Sequence, residues 1–158
     1  MSARTFRSLL VVAVVLVLGA VNWSIFAKER IRTNGERIYL ALAPVDPRSL
    51  MQGDYMALRF EIASQIHTKS SGSAPLLVDG HGVATLNPDA SAEGLRIRYR
   101  IRNAQVWIGT NAWFFEEGTA ERYAGARYGE FRIDRASGEA VLVGLRDADL
   151  KVMGTQGK

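Results

Sequence analysis

Residues 95–102 read LRIRYRIR, that is Leu95-Arg96-Ile97-Arg98-Tyr99-Arg100-Ile101-Arg102. Apolar or aromatic residues alternate with arginines without a break, the period-two pattern of a strand with one buried face. Leu95, Ile97, Tyr99 and Ile101 must face a core, because a one-residue slip would drive all four arginines into it. The same register puts four guanidinium groups on the opposite face, about 6.6 Å apart and within a screening length of about 8 Å. Something anionic is therefore expected opposite them. Two sources stay open: acidic side chains of the same domain (Glu130 and Asp134, or Glu61), or an external anion such as a lipid headgroup or an acidic partner.

Working outward, the same periodicity recurs on both sides. Glu36 to Ala43 alternates Ile38, Leu40 and Leu42 inward with Tyr39 and Ala41 outward, after a turn signal at Asn34-Gly35. Pro44 and Pro47 end that strand and hold the chain extended. Tyr55 to Ile62 is expected to be a second strand, with Met56, Leu58, Phe60 and Ile62 inward. Residues 63–75 read as an exposed loop. A hairpin follows, Leu76 to Val78 and Val83 to Leu86 about a turn at Asp79-Gly80. Gln105 to Thr110, Ala112 to Phe115, Glu130 to Asp134 and Ala140 to Leu145 complete the strands, the last two joined at Ala136-Ser137-Gly138. Glu116 to Tyr128 is the one soluble helix expected, with Ala120, Tyr123, Ala124 and Tyr128 on one face and Thr119 as cap. Seven or eight short strands predict a mainly-β antiparallel sandwich or barrel with one short helix.

Ahead of this domain, residues 8–26 read SLLVVAVVLVLGAVNWSIF, nineteen residues without a charge. As a helix they span about 28 Å, close to the hydrocarbon thickness of a bilayer. Trp23 suits the interface, and Lys28-Glu29-Arg30 stops the segment. A cleaved signal peptide fits less well: Ala20 has Leu18 two residues before it and Ala27 has Ile25, neither a small-x-small site. With no Cys there is no lipoprotein anchor. The chain is thus read as a basic tail (1–7), a transmembrane signal anchor (8–27) and a strand-rich domain (28–158). Flanking charges are equivocal for orientation, Arg4 and Arg7 against Lys28, Arg30, Arg32 and Arg37. The short tail favours an exported domain.

Residues 1–30 hold four basic residues against one acidic, and the rest of the chain 16 against 15. The domain is nearly neutral, which gives no argument for nucleic acid as a partner.

GDYMALRF at 53–60 resembles the signature of the GDYXXLXY protein family, with Phe60 in place of the last Tyr. The lead-in NGERIYLALAPVDPRSLMQ and the later WFFEEGTAERYAGARYGEFRI also resemble that family's blocks. The resemblance implies a bacterial membrane-anchored protein and, as a partner class, a multi-spanning membrane protein; taken with the exported domain that the short tail favours, the expected location is the inner membrane with the domain in the periplasm. It implies no reaction. In physical terms Gly53 permits a tight turn, Asp54 accepts backbone N–H groups there, and Pro47 stiffens the approach. Leu58 and Phe60 point inward, and Tyr55 presents a polar tip.

Catalytic and metal chemistry find little footing. His67 and His81 lack the spacing of a zinc site, and Asp79, Asp89 and Glu93 that of a calcium loop. Ser49 ahead of Gly53-Asp54 is only distantly similar to the arrangement in membrane-bound signal peptidases, and Lys28, Lys69, Lys151 and Lys158 supply no base on a strong strand. No cofactor or metal is expected. The leading function is an interaction or accessory domain, with two alternatives. One is a hydrolytic enzyme using a polar pocket of Asp54, Glu117 and Arg127 near the 116–128 helix. The other is a binding module for an anionic envelope component through Arg96, Arg98, Arg100 and Arg102. Tyr123 and Tyr128 join Glu117 and Arg127 as candidate binding residues.

Overall fold

A single unbroken helix, α1 (Ala3–Asn34, 32 residues), opens the chain in the computed structural model, which describes residues 3–43, 51–52, 55–89 and 94–155. Its stretch from Arg7 to Asn34 has a mean hydropathy of 2.5 in its most apolar window, none of it buried, and is long and apolar enough to cross a membrane. The helix continues two turns past the apolar run. There Ile31 becomes buried as α1 packs on the strands β9 (Tyr128–Ile133) and β10 (Ala140–Arg146). Gly35 N–H donates to Ile31 O at 2.8 Å, closing the helix, and β1 (Glu36–Ala41) begins with no linker.

Among the described residues the domain has three antiparallel sheets. The first has the order β1-β9-β10-β11, with β11 spanning Val152–Thr155. The second joins β2 (Met51–Gln52), β3 (Tyr55–Ala57) and β8 (Ala112–Phe114). The third has the order β5-β4-β6-β7: Ala84–Leu86, Gly72–Val78, Arg96–Arg102 and Gln105–Trp107. All three turn a face to one core, with Ile38, Phe131 and Leu142 from the first sheet, Met56 and Trp113 from the second, and Leu76 and Ile97 from the third. A mainly-β antiparallel architecture behind an N-terminal apolar helix is the class that the alternation predicts.

Several local expectations are corrected. Residues 55–62 are not one strand: β3 stops at Ala57, Phe60 makes a lone bridge to Leu42, and Glu61–Gln65 is a short helix, α2. Met56, Leu58, Phe60 and Ile62 are all buried regardless. Four alternating positions cannot tell a strand from a strand that ends in a helical turn. The loop expected through residue 75 ends at Gly72, where β4 starts; its small residues Gly72-Ser73-Ala74 hid the strand. The helix expected over 116–128 is only a 3₁₀ turn at Ala120–Tyr123, and Tyr128 already belongs to β9. Gly118 at φ +79° breaks the start, and the Thr119 hydroxyl donates to Glu116 O instead of capping. Tyr39 lies on the face opposite Ile38 and Leu40 as expected, yet it is buried (7% exposed), beneath the β4–β5 turn at Gly82. A single helical turn expected at Ser49-Leu50-Met51 is not seen at Met51, which belongs to β2; the expected extended run 44–48, Ser49, Leu50, Gly53 and Asp54 lie outside the described residues.

The second face of the first sheet holds a buried ion pair. Arg146 donates to Glu130 Oε2 from Nε (2.7 Å) and from a terminal nitrogen (2.5 Å), and to Leu150 O at 3.2 Å. Its guanidinium lies 5.8 Å from the Tyr39 ring centroid. A β-bulge between Leu142 and Gly144 sets this register. With Gly144 opposite Glu130, the next residue, Leu145, returns to the core.

The β9–β10 turn, residues 134–139, joins the first and third sheets. Asp134 accepts from Ser137 N (2.9 Å) and Ser137 Oγ (2.6 Å), and Gly138 O accepts from Arg98 N at 2.7 Å. Gly138 has φ +69°, and a Cβ there would lie 2.7 Å from Arg96 O. Gly138→Ala is therefore expected to cost about 2 kcal/mol or more, read as a lower melting temperature of the full chain in detergent. Arg146→Met strands a buried carboxylate and should cost about 3 kcal/mol, while Glu130→Leu with Arg146→Met should recover much of that loss. A double variant no more stable than the single one would contradict the pairing. The Ser137 hydroxyl holds the Asp134 carboxyl below the ordinary carboxylate range, helped by the Ser137 backbone N–H. That depression contributes stability above the unfolded pKa of about 3.9 and loses it as pH falls through the folded value. The stability gap between wild type and Asp134→Ala should accordingly narrow below about pH 4.

Candidate interaction surface

The alternation of β6 buries Leu95 and Ile97 and sends Arg96, Arg98, Arg100 and Arg102 to the other face. Its neighbours are β4 and β7. Glu130 and Asp134 belong to the first sheet and its turn, where Arg146 and Ser137 engage them, so neither serves the ladder as expected. Glu61, on α2, makes no ion pair with it among the described residues.

The four arginines instead have four different surroundings. Arg96 donates from Nε to Ser73 Oγ and from a terminal nitrogen to Ser73 O, both 3.1 Å. Arg98 has no side-chain hydrogen bond or ion pair among the described residues. Arg100 stands 3.9 Å from Glu139 Oε1, and the same oxygen pairs with Lys28 Nζ. The Arg102 guanidinium lies over the Trp107 ring, 5.6 Å from its centroid. Lys28, Arg98, Arg100, Arg102, Trp107 and Glu139 together line a cleft of about 80 Å³. Among the described residues, four cations face it with a single carboxylate.

A second cleft, about 630 Å³, opens between α1 and the β9–β10 turn. Trp23, Phe26 and Ile31 supply its apolar lining, and Arg30, Glu36 and Arg135 its polar rim. Arg135 donates to Glu36 at 2.5 Å, a bond that raises the guanidinium pKa further.

The other residues singled out by sequence lie elsewhere. Phe60 (2% exposed) packs edge-on against Phe131, ring centroids 5.1 Å apart, and close to Gly129. A tyrosine hydroxyl would need a buried partner there. Leu58 is in the core. Tyr55 is partly exposed, with its ring 6.0 Å from that of Phe114, which is 65% exposed. Tyr123 packs on Trp113 and Phe115. Trp113 is buried, and its Nε1 has no hydrogen-bond partner among the described residues. Tyr128 sits opposite Ala41 and Arg146 across the ladders. Glu117 and Arg127 are both exposed, and the backbone of Arg127 bridges Leu42 N and Arg146 O at 2.8 Å each. Pro47, Gly53 and Asp54 lie outside the described residues. Among the described residues no three His, Asp or Glu side chains gather as metal ligands do. Sequence reasoning missed Lys28 and Glu139 as members of the arginine cluster. Lys28 had read as a stop signal and a flanking charge of the apolar run, and no spacing tied Glu139 to a strand of another sheet.

A family model described as GDYXXLXY protein matches residues 17–145, from within the apolar helix to near the end of β10. No curated protein and no solved structure matches the chain. The family match covers most of the sequence and contains both clefts as well as the GDYMALRF segment, and on that ground the chain belongs to the GDYXXLXY protein family.

Proposed function

We propose that this is a single-pass protein of the bacterial inner membrane whose periplasmic, strand-rich domain is an accessory module for an integral membrane partner. The cleft between α1 and the β9–β10 turn carries this reading. Its apolar residues Trp23 and Phe26 belong to the last turns of the apolar helix, and its rim is charged. A helix crossing the bilayer would bring that cleft to the interface, where aromatic rings and basic groups are both stable. A partner able to fill it must present an apolar segment next to a polar one at the same depth. The end of a transmembrane helix, continuing into a periplasmic loop, does so.

The rigid exit of the helix supports the same reading. Ile31 is buried and Gly35 leads directly into β1, so there is no linker on which the domain could swing. Such a domain recognises what lies beside its own anchor.

Two measurements test this in cells. A photo-reactive residue in place of Phe26 should crosslink to an integral membrane protein, and the same residue at Ala148, beyond the far end of β10, should not. Equal yields at both sites would overturn the proposal. A periplasm-active reporter fused after Lys158 should be active and a cytoplasm-active one silent; the reverse pattern would place the partner's contact on the other side.

A further inference from the structure

Lys28 lies two residues beyond Phe26, the last residue of the apolar run. That is about 3 Å along the helix axis. If the helix spans a bilayer, as proposed above, Lys28 stands among the lipid headgroups, and so does any site built around it. The cleft between α1 and β6 is such a site.

We infer that this cleft binds the phosphate of an anionic phospholipid headgroup from the membrane that α1 crosses. Charge comes first. Lys28, Arg98, Arg100 and Arg102 line the cleft, and among the described residues Glu139 is its one carboxylate. Glu139 spends one oxygen on Lys28 and stands 3.9 Å from Arg100, which leaves most of the positive charge uncompensated. The guanidinium of Arg98 is bonded to nothing among the described residues, although the backbone of Arg98 is fixed by Gly138. A guanidinium fork on a rigid strand is the group best shaped to take two phosphate oxygens. Trp107, opposite Arg100 on β7, lies under Arg102 and keeps that side chain raised at the cleft wall.

Size restricts the ligand. At about 80 Å³ the cleft is far smaller than the roughly 300–1,000 Å³ of small-molecule sites, and it is lined mainly by charged groups. It fits an ionic group with a few waters, at about 30 Å³ per water. Position then selects the source of that group. A free phosphate would be indifferent to Lys28 being on the anchor helix, whereas a lipid phosphodiester reaches the cleft because it is there. The ladder is thereby explained: its repulsion is relieved partly by Ser73, Glu139 and Trp107, and for the rest by the membrane surface.

The test uses the full chain in detergent micelles, with melting temperature followed as phosphatidylglycerol, phosphatidylcholine or inorganic phosphate is added. Phosphatidylglycerol should stabilise the wild type, less so in high salt, and phosphatidylcholine should not. Arg98→Gln, whose side chain holds no partner among the described residues, should fold normally and lose the response, with apparent affinity down about tenfold. Arg98→Lys should keep part of it. Arg96→Gln, outside the cleft, should respond as wild type. Equal stabilisation by phosphatidylcholine, or an undiminished response in Arg98→Gln, would overturn the inference. A full response to millimolar inorganic phosphate would reassign the site to a free anion. Incorporation into phosphatidylcholine vesicles is scored separately. Failure there strikes at the membrane span, and a normal result there with no phosphatidylglycerol response strikes at the cleft alone.

Discussion

The β9–β10 turn is the constraint on which the arrangement of the molecule depends. Within six residues it ties down three separate parts. Asp134 and Ser137 close the turn on themselves, Gly138 takes the backbone of β6 through Arg98, and Glu139 meets both Lys28 on α1 and Arg100 on the ladder. The glycine is obligatory, because the turn passes so close to Arg96 that no Cβ fits and the backbone is left-handed. Besides this turn, the first and third sheets meet through the core side chains and the Tyr39–Gly82 backbone contact, and α1 meets the first sheet through Ile31 and the junction at Gly35.

Not every contact at the junction carries equal weight. The Lys28–Glu139 pair is half exposed on the lysine side, and pairs of that kind contribute about 0–1 kcal/mol. Burial of Ile31 contributes about 1.5–3 kcal/mol, and the backbone bonds at Gly35 and Gly138 fix geometry that no side-chain pair could. Packing and main chain therefore hold the domain to its helix, and Glu139 mainly sets which cations stay together. That division leaves the arginines available for anions without loosening the fold.

Much of this was legible in residues with a single reading. LRIRYRIR permits one register, Asp79-Gly80 and Ala136-Ser137-Gly138 permit little but turns, and nineteen uncharged residues permit one kind of helix. What failed did so where local pattern was ambiguous or partners were distant. The 116–128 periodicity was real for Tyr123, which does reach the core edge, but Gly118 and Gly125 made a continuous helix expensive. The strand β11 has an exposed Val152 and a Gly154 pressed against Trp113 and Tyr123, and so shows no alternation. The partner of Glu130 could not be read because Arg146 reaches it only through the bulge in β10. The cluster of Lys28 with the ladder joins a helix, a turn and a strand far apart in sequence, which no periodicity encodes.

The most direct test of a rigid junction that holds the arginine cleft at the membrane surface is a depth measurement. Spin labels at Ala136, in the turn before β10, and at Ala148, past its far end, are both exposed and lie beyond opposite ends of a strand that is about 20 Å long at 3.3 Å per residue. In the full chain reconstituted into bilayers, relaxation by a lipid-bound paramagnet should place the Ala136 label at the level of the headgroup phosphates. The Ala148 label should lie well out in water. Equal, shallow relaxation at both positions would mean that the domain swings free of its anchor, and would contradict the account.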